Sequence, residues 1–557
     1  MVTMTSSPLV LGPLVRYVGA HDATFWFEFD RPGTVRVTTD TGVHGEASTW
    51  GVHGHHYALV ALTDLPADTA ITYDSTFDGR VVWPEPGATA AIHTIDRHGP
   101  VTFAFGSCRR GDNYSDESLQ RIGADALAGL GTRMAGQGPE EWPQALLLLG
   151  DQVYADDPSP EIIEKLRARR AAGDGPASAR DTDAADEICD FEEYSWLYHE
   201  SWGVEPVRTL LASVPSCMIL DDHDLRDDWN SSASWRADIE TRPWWKDRVV
   251  GAFSSYWVYQ HLGNLSPDEL GRDELYAQVK AAATDEDRER LLCEFSLRVD
   301  EVPETGRWSF YRDFGDTRLI MIDSRCSRDL DPSRRAMVDD VEWAWVRERA
   351  LEKSPRHLLF GSSLPYLMLP ALHHLEQWNE AVAQGSWGKL AARVGEKLRI
   401  DLDLEHWAAF GKSFLDMATL VREISRSDDA PASIMWLSGD VHCSYVARAE
   451  FGVGGDVPAT YQLTMSPFRN PLNLPIRAVN RLAIKRPAAR VLASLARGAK
   501  VPPPDVSWEA EAGPWFDNGV MLLTTEGETA RVSVEHAHVD PVGRQTLTTT
   551  RKMTLTP

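Results

Sequence analysis

Residues 146–157 read LLLLGDQVYADD, and this stretch decides the fold class. A run of leucines is apolar on both faces, which is typical of a strand that lies buried inside an α/β domain. Asp151 follows after a single glycine, and Tyr154, Asp156 and Asp157 come close behind it. A carboxylate beside a buried strand is costly unless it is paired or bound to a metal. We therefore expect a binding partner at the end of this strand.

The same pattern of an apolar run followed by polar residues recurs along the chain. Continuous apolar runs end in polar or charged residues in VTFAFGSC, SCMILDDHD, RLIMIDSR, HLLFGSS and SIMWLSGD, and helical patterns lie between several of them. Buried strands that alternate with helices predict an α/β core. Ligands of such folds bind at the carboxyl ends of the strands, so the residues found there are the candidates for a site. They are Cys108, Asp151, Asp222, His223, Asp323, Arg325, Asp440 and His442.

Residues 8–97 have a different pattern. Short β-branched and aromatic runs such as ATFWFEFD, TVRVTTD and AITYDSTFDG are separated by turn residues at intervals of about ten, which is the spacing of a β-sandwich. We predict an N-terminal β-sandwich domain over residues 1–97, a linker at 95–100 (IDRHGP), and a second domain over residues 98–557.

Composition excludes several classes of protein. The 557-residue chain has a net charge of −27, whereas a nucleic-acid-binding protein normally presents a basic face. Its six cysteines are scattered singly, which does not suit a disulfide framework or a zinc knuckle. The N-terminus lacks a basic region before an apolar core, and the chain has no apolar run of spanning length, so we predict a cytoplasmic protein without a signal peptide or transmembrane segment.

Further segments stand out between these motifs. Residues 158–190 run from a charged helical stretch into AGDGPASARDTDAAD, which we expect to be mobile. Residues 229–260 are dense in Trp and Tyr and predict core packing, with a wall of the substrate cleft as the alternative. Residues 339–353 predict a helix with Val341, Trp345 and Leu351 near one face, and the last strands predict a hairpin.

Residues 457–504 contain no acidic residue and several Arg and Lys residues interleaved with Leu, Ile and Val. A basic amphipathic helix at 470–500 is typical of contact with an anionic membrane surface. The alternative is a helix whose apolar face packs on its own domain, and this is the interpretation we favour. Pro487 is expected to break or kink the helix. If the segment binds membranes, phospholipids become candidate substrates.

The strand-end residues suit a mixed metal site. Carboxylate, phenolate and imidazole ligands favour Fe, Mn, Mg or Ca, whereas a thiolate is a soft ligand that Ca²⁺ would not choose. One transition metal beside one or more hard ions fits this set, and two adjacent cations suit phosphoryl transfer. Taken singly, each residue has a structural alternative: an N-cap for an aspartate, an inert buried thiol for Cys108, packing for Tyr154 and an ion pair for Arg325. We expect His357, His373 and His374 to be structural.

The motifs GSC, GDQVYADD, DDHDLRDDW, DSR and SGDVHCS, in this order, resemble the alkaline phosphatase D family, which belongs to the calcineurin-like metallophosphoesterases. The resemblance runs from about residue 98 to the end of the chain. It implies a four-layer α/β/β/α sandwich after an N-terminal all-β sandwich domain. It also implies a metal-dependent phosphoric ester hydrolase, a phosphatase or phosphodiesterase, that uses a metal-activated hydroxide.

The resemblance also implies a ligand set. By position in the family motifs, Fe³⁺ would be held by Cys108, Asp151, Tyr154 and Asp440. Asp151 would bridge to Ca²⁺, or to Mn²⁺, Mg²⁺ or Zn²⁺, with Asp222 and His442 nearby. His223 would contact the phosphate or the leaving oxygen as an acid or hydrogen-bond donor. Arg325 would clamp the phosphate, because a guanidinium matches phosphate oxygens bidentately. These last two residues are the predicted catalytic residues.

Some positions depart from the family pattern. Asp227 and Asp228 stand where the family often has asparagines, and Ser362 and Ser363 stand where the wider superfamily has a metal-binding histidine. Family members are commonly exported, whereas no export signal is visible in this chain. The competing hypothesis is a non-catalytic module that binds a phosphate ligand or a protein and whose metals are structural. Every family position that can be mapped holds a usable ligand, which favours the enzyme and a phosphate ester substrate.

Overall fold

The computed structural model describes residues 7–85, 88–95, 98–454 and 457–556. Residues 96 and 97 of the predicted linker lie outside this part of the chain. The strands are β1 Leu9–Val18, β2 Ala23–Phe29, β3 Thr34–Thr39, β4 His44–Ser48, β5 Trp50–Val52, β6 His55–Leu62, β7 Ala70–Phe77, β8 Arg80–Trp83, β9 Ala90–His93, β10 Val101–Gly106, β11 Ala145–Leu149, β12 Ser216–Ile219, β13 Phe310–Phe314, β14 Thr317–Met321, β15 His357–Gly361, β16 Ser433–Ser438, β17 Ser444–Glu450, β18 Ala459–Thr464, β19 Ser507–Trp515, β20 Gly519–Glu526, β21 Thr529–Val539 and β22 Gln545–Thr554.

The α-helices fall mostly between the later strands. They are α1 Asp116–Ile122, α2 Ala126–Met134, α3 Pro160–Ala171, α4 Phe191–Trp202, α5 Val207–Leu211, α6 Ala233–Ile239, α7 Trp245–Ser255, α8 Leu262–Asn264, α9 Pro267–Leu270, α10 Glu274–Ala281, α11 Asp285–Glu301, α12 Asp340–Leu351, α13 Pro370–Ala383, α14 Lys389–Asp401, α15 Gly411–Ser425, α16 Leu474–Ala483 and α17 Arg486–Gly498. A π-helical turn, Tyr256–His261, continues α7 into α8.

The N-terminal strands form two sheets. One has the order β1-β2-β6-β5 and the other β4-β3-β7-β8, with β9 also paired to β7. Between them lies an apolar core that includes Phe25, Phe27, Val35, Val37 and Ile71. Alternation of inward and outward side chains along β3 and β7 matches a sheet with one buried face. The predicted all-β sandwich is confirmed.

Two larger sheets follow, one with the order β12-β11-β10-β20-β21-β22 and the other with the order β13-β14-β15-β16-β18-β17-β19. Apolar side chains of both sheets pack against each other in one core. Helices pack against the outer face of each sheet, and each of these two contacts has an apolar core of its own. The layers are therefore α/β/β/α, as the family resemblance implied.

Strand β11 shows why the opening stretch is all leucine. Leu147 and Leu149 belong to the core between the sheets, whereas Leu146 and Leu148 belong to the core beneath the helices. Side chains alternate across a strand, so a strand with apolar layers on both sides needs apolar residues at every position. β11 lies between β10 and β12 and is parallel to both, which puts the three carboxyl ends side by side.

The second sheet brings its own strand ends to the same place. β14, β15, β16 and β18 are parallel neighbours. The two sheets are joined at these ends through Ser107, whose hydroxyl accepts a hydrogen bond from the Asp440 amide at 2.8 Å. A Cβ at Gly439 would lie 2.1 Å from the same hydroxyl oxygen, so only glycine fits this crossing.

Residues 158–190 make hydrogen bonds within the segment and to the rest of the protein. The Arg170 guanidinium donates to the carbonyl of Ala184, which is buried, and the Trp244 indole donates to Asp183. That the segment is mobile stays a prediction.

One expectation about a helix was wrong. Helix α12 buries Glu342, Val346 and Ala350, while Val341 and Leu351 are exposed. Glu342 lies on the buried face, where its carboxyl group accepts a hydrogen bond from the Ser309 amide. Burial raises its pKa to about 8, so the group is largely neutral there at neutral pH. A pattern of apolar residues does not anticipate such a position.

Other expectations are confirmed. Of the tryptophans between residues 229 and 260, Trp229, Trp244, Trp245 and Trp257 are buried and Trp235 is half-buried. β20 and β21 pair as the predicted antiparallel hairpin. Pro487 separates α16 from α17, because proline is tolerated in the first turn of a helix but not in its interior. No helix in the described ranges is long and apolar enough to cross a membrane.

Candidate metal centre

Backbone strain marks the strand ends. Cys108, Asp151, Asp440 and His442 have φ angles of 58°, 50°, 60° and 46°, in the left-handed region. That region is costly for residues other than glycine and is retained where surrounding contacts impose it, often at functional sites. The contacts are present here: the Cys108 amide donates to the Gly150 carbonyl at 3.2 Å and the Cys108 carbonyl accepts from the Arg469 amide at 3.2 Å. These turns aim the side chains away from the sheets and toward one another.

Cys108 lies in a fully buried polar niche. Its Sγ is 2.9 Å from the Ser107 hydroxyl oxygen and 3.3 Å from that of Ser466. Burial raises the pKa of the thiol, and the carboxylates of Asp151 and Asp440 raise it further. A thiolate in this place therefore requires a cation beside it, because a coordinated thiol is deprotonated by the metal charge.

Four carboxylates converge at the same edge. Asp151, Asp221, Asp222 and Asp440 each offer an oxygen, and these atoms lie within 4.8 Å of one another. Burial, together with Asp221 and Asp222, raises the pKa of Asp151 well above its usual value. Within the described part of the chain, Oδ1 of Asp151 and Oδ2 of Asp221 are buried without a hydrogen-bond partner. Such carboxylates fit the binding of cations, which relieve both the repulsion and the unmet hydrogen-bonding capacity.

Asp151 also belongs to a second group. Sγ of Cys108 and a ring nitrogen of His442 lie within 4.8 Å of an Asp151 oxygen and of each other. Burial lowers the pKa of His442 to about 4, so its imidazole is neutral at neutral pH, as a metal ligand must be. Asp151 is thus shared by a mixed set with sulfur and nitrogen and by an all-carboxylate set. Softer and harder cations prefer these two sets respectively.

Tyr154 lies at the border of this arrangement. Its hydroxyl is 3.4 Å from Oδ2 of Asp151, and it accepts a hydrogen bond from the Asn470 amide nitrogen at 2.9 Å. Burial raises the pKa of the phenol, and Asp151 and Cys108 raise it further. The ring also packs against the His223 imidazole, with centroids 4.6 Å apart.

His223 is oriented by a carboxylate. Its Nδ1 lies 2.9 Å and 3.1 Å from the two oxygens of Asp156, and the Asp227 amide donates to Asp156 at 2.7 Å. Burial opposes a charge on the imidazole, but Asp156 more than compensates and raises the pKa of His223 well above its usual value. Asp157, by contrast, is exposed and pairs with Arg110.

Arg325 lies under the carboxylate cluster and is fully buried. Its guanidinium pairs with Asp221, with Glu405 at 2.6 Å and with Asp222 at 3.1 Å, and it lies 3.7 Å from Asp440. The guanidinium therefore offsets part of the negative charge of the cluster. Its use as a phosphate clamp stays a prediction, and the described contacts favour the role of a counter-charge that positions the carboxylates.

Sequence reasoning missed several residues at this site. His406 places Nε2 3.3 Å from Oδ2 of Asp440, and its Nδ1 lies 2.7 Å from Glu376. It comes from a loop before a short 3₁₀ helix and not from a strand end, so the strand-end pattern gave no signal. Asp221 directly precedes Asp222 in the DDHD motif, but only Asp222 was predicted as a ligand. Glu405, which pairs with Arg325 and Arg328, was also missed.

The departures from the family pattern fall around the cluster. The Asp228 amide donates to Asp222 Oδ2 at 3.1 Å, and Asp227 Oδ1 lies 3.7 Å from His223 Nε2. Ser363 is buried, bonded to Ser324 through its hydroxyl at 2.9 Å and to the Gly439 amide through its carbonyl. The residues expected to be structural lie in other surroundings: His357 contacts Ser433 and Gly527, His373 packs against Phe414 and Trp508, and His374 contacts Gln377.

Comparisons with known proteins agree with this architecture. The solved "Structure of PhoD" superimposes with a TM-score of 0.59 at 11% identity, over 100% of this chain and 91% of that one. Purple acid phosphatase PPD1 from yellow lupin (Lupinus luteus) seeds gives a TM-score of 0.48 at 10% identity, over 98% and 74%. The first likeness shows the fold alone. No curated protein matches the chain.

Family models match two parts of the sequence. Residues 6–95 match a model described as "Domain of unknown function (DUF7800)". Residues 130–460 match the model described as "PhoD-like phosphatase", which spans more than half of the chain. With the strand-end motifs, the α/β/β/α layers and the clustered side chains that could hold metal ions, this match shows that the chain belongs to the PhoD-like phosphatase family and is a metal-dependent phosphoesterase.

Proposed function

We propose that this enzyme hydrolyses phosphoric esters at a centre that holds Fe³⁺ and Ca²⁺ side by side, with Asp151 as the shared ligand. The observation that supports this most is that Asp151 belongs to two ligand groups at once, one with Cys108 and His442 and one with three other aspartates. When bound, two such cations supply Lewis acidity that lowers the pKa of water and neutralises phosphate oxygens.

The ligand types separate the two cations. Cys108, Asp151, Tyr154 and Asp440 make a set with thiolate and phenolate that suits a ferric ion. The remaining carboxylates, Asp222 and the newly found Asp221, suit Ca²⁺ or another divalent ion such as Mn²⁺ or Mg²⁺. We had expected His442 on the second metal, but its grouping with Cys108 favours the iron side.

In this proposal His223 acts on the ester, whereas Arg325 acts on the aspartates. Asp156 holds Nδ1 of His223, so that Nε2 is the ring atom left to donate to the phosphate or to the leaving oxygen. Arg325 positions Asp221, Asp222 and Asp440 through the charge and hydrogen bonds of its buried guanidinium. We also propose that residues 1–97 and 98–557 are the two domains, with the catalytic residues in the second. The match of residues 6–95 to a separate family model supports that division.

Metal analysis by mass spectrometry and a visible absorption spectrum test the centre. The wild type is expected to contain iron and to show a tyrosinate-to-iron charge-transfer band. Tyr154→Phe should lose the band, and Cys108→Ala and Asp151→Asn should lose iron and nearly all activity. Cys217→Ala and Asp157→Asn are the matched controls, since Cys217 lies in the core between the sheets and Asp157 is exposed.

The outcomes separate the parts of the proposal. Full activity in metal-free Cys108→Ala protein would refute the metal mechanism. An iron-loaded sample without the band would remove Tyr154 from the ligand set and leave the remaining ligands in place. A preparation rich in metal that cleaves no monoester, diester or phospholipid would favour a binding module with structural metals.

A further inference from the structure

Helix α16 exposes its apolar face to solvent. Leu474, Val479 and Leu482 are 76%, 55% and 57% exposed, although they are the largest apolar residues on one side of the helix. Positions 474, 478 and 482 recur every four residues and lie on a single face, with 475 and 479 beside them. The side that meets the protein carries smaller or more polar residues, and its buried members are Asn480 and Ala483. For this helix, the packing that we favoured from the sequence is wrong.

The neighbouring helix behaves in the opposite way. Helix α17 packs along α13, and Ala489 and Leu492 contribute to the apolar cluster that lies there. Ala496 is buried as well. Val491 of α17 is also exposed, but most of the exposed large apolar side chains of the two helices, namely Leu474, Ile476, Val479 and Leu482, belong to α16.

The charges around α16 match an anionic surface. Residues 457–504 contain eight Lys and Arg residues and no Asp or Glu, in a chain whose net charge is −27. Arg481, Lys485 and Arg490 are exposed. An apolar face flanked by basic side chains is the pattern of helices that lie in the plane of a membrane interface. Because the rest of the protein is acidic, an anionic surface would attract this side and repel the others.

The helix lies close to the metal centre along the chain. The Asn470 side chain donates to the Tyr154 hydroxyl, and the Arg469 guanidinium is fixed by the backbone carbonyl of Asn113 at 2.9 Å. Leu474 follows Asn470 by four residues. A chain segment of this length spans at most about 14 Å. A surface that bound α16 would therefore lie close to the site.

We propose that α16 docks the enzyme on an anionic lipid surface, with Leu474, Val479 and Leu482 in the interfacial layer and the basic residues against lipid headgroups. The proposal concerns binding and does not depend on which ester the enzyme cleaves.

Co-sedimentation with vesicles tests the docking. The full-length wild type should sediment with vesicles of equal parts phosphatidylcholine and phosphatidylglycerol at low salt, and far less with phosphatidylcholine alone. Leu474→Ser combined with Leu482→Ser should weaken binding about tenfold or more. Arg481→Gln combined with Lys485→Gln should weaken it to a similar degree and reduce its salt dependence. Val542→Ser changes an equally exposed apolar residue and should have no effect.

Metal content and melting temperature of each variant serve as the check on folding, since all of the altered side chains are exposed. Absence of vesicle binding by the wild type at low salt would overturn the proposal, as would binding that both double variants retain. Sedimentation velocity tests whether a second copy of the chain covers this face. A wild-type dimer that the Leu474→Ser, Leu482→Ser variant dissociates, without vesicle binding, would show that a second copy of the chain covers the face instead.

Discussion

At the scale of single residues, Asp156 gives His223 a defined orientation. The carboxylate contacts Nδ1 of the ring and is itself held by the Asp227 amide. A carboxylate behind a histidine fixes the tautomer and the ring plane. In the proposed mechanism Asp156 therefore acts only through His223. Its exposed sequence neighbour Asp157 pairs instead with the buried guanidinium of Arg110.

Asp156→Asn should therefore lower kcat by about a hundredfold, because general acid–base catalysis contributes roughly that much or more. The side chain keeps its size, so metal content should be unchanged. Steady-state kinetics with parallel metal analysis measure both quantities, and Asp157→Asn is the control. If kcat is unaffected while His223→Ala is inactive, Asp156 has no positioning role.

Several of the site residues found from the sequence share one property, which is that they come within a few residues of the end of an apolar strand. Cys108, Asp151, Asp222 and Asp440 all meet that criterion. His406 does not, because it comes from the loop that connects α14 to α15. Contacts between distant loops leave no periodicity in the sequence, and for this reason His406 and Glu376 were found only in three dimensions.

At the scale of elements, the two large sheets meet where β10 and β16 end. Gly439 crosses Ser107 so closely that a Cβ would lie 2.2 Å from the Cβ of the serine. Ser107 in turn bonds the Asp440 amide and lies beside Cys108 Sγ. Because Gly439 has no side chain, the backbone after β16 can lie close to Ser107. This contact fixes the position of Asp440 relative to Cys108.

Gly439→Ala should displace Ser107 and weaken metal binding at least about tenfold, the effect typical of disturbed groups behind metal ligands. Gly454→Ala is the matched control, since nothing lies within 4 Å of a Cβ there. Metal titration and melting temperature of both variants measure the effect. Wild-type metal affinity in Gly439→Ala would show that the crossing tolerates a methyl group.

The sequence predicted the buried faces of helices less well than those of strands. The apolar residues of α12 and α16 predicted buried faces, yet Val341, Leu351 and Leu474 are exposed. A strand in a parallel sheet is covered on both sides whatever its register, whereas a helix can rotate about its axis. Which face it buries depends on the partners that the tertiary structure supplies, such as the Ser309 amide that binds Glu342.

At the scale of the whole molecule, an ionic network joins the N-terminal sandwich to the catalytic region. Buried Glu28 on β2 lies 2.7 Å from Nδ1 of His55 and 2.9 Å from Nε2 of His199 in α4. The other nitrogen of His55 lies 2.8 Å from Glu192, at the start of α4. The Tyr259 hydroxyl also donates to Glu28.

This network predicts how stability depends on pH. Burial opposes a charge on His55, but the hydrogen bonds of Glu192 and Glu28 raise the pKa of the imidazole to about 9, against 6.5 ordinarily. Its stabilisation is therefore complete below pH 6.5 and is lost as the pH rises through 9. The His55 hydrogen bond is the main cause that lowers the pKa of Glu192 from 4.5 to about 2. That contribution is present above pH 4.5 and is lost as the pH falls through 2.

His55→Gln should lower the free energy of unfolding by about 1–2 kcal/mol at pH 6, allowing for partial exposure of the pair. The difference from wild type should shrink as the pH passes 9. Denaturant unfolding at pH 6, 8 and 10 measures it, with His44→Gln on an exposed strand position as the control. A difference that does not change with pH would exclude protonated His55 as its source.

The sequence, with the family resemblance that its motifs carry, determined the architecture and most side chains of the candidate metal centre. Strands that are apolar on both faces and end in Cys or Asp require layers on both sides and a partner for the charge, and both requirements are local. Only the tertiary structure decided how the ligands group around Asp151, that Arg325 is buried among carboxylates, that Asp156 supports His223 and that α16 turns its apolar face outward. Those features depend on which distant segments approach each other, and a side chain's chemistry does not specify its neighbours.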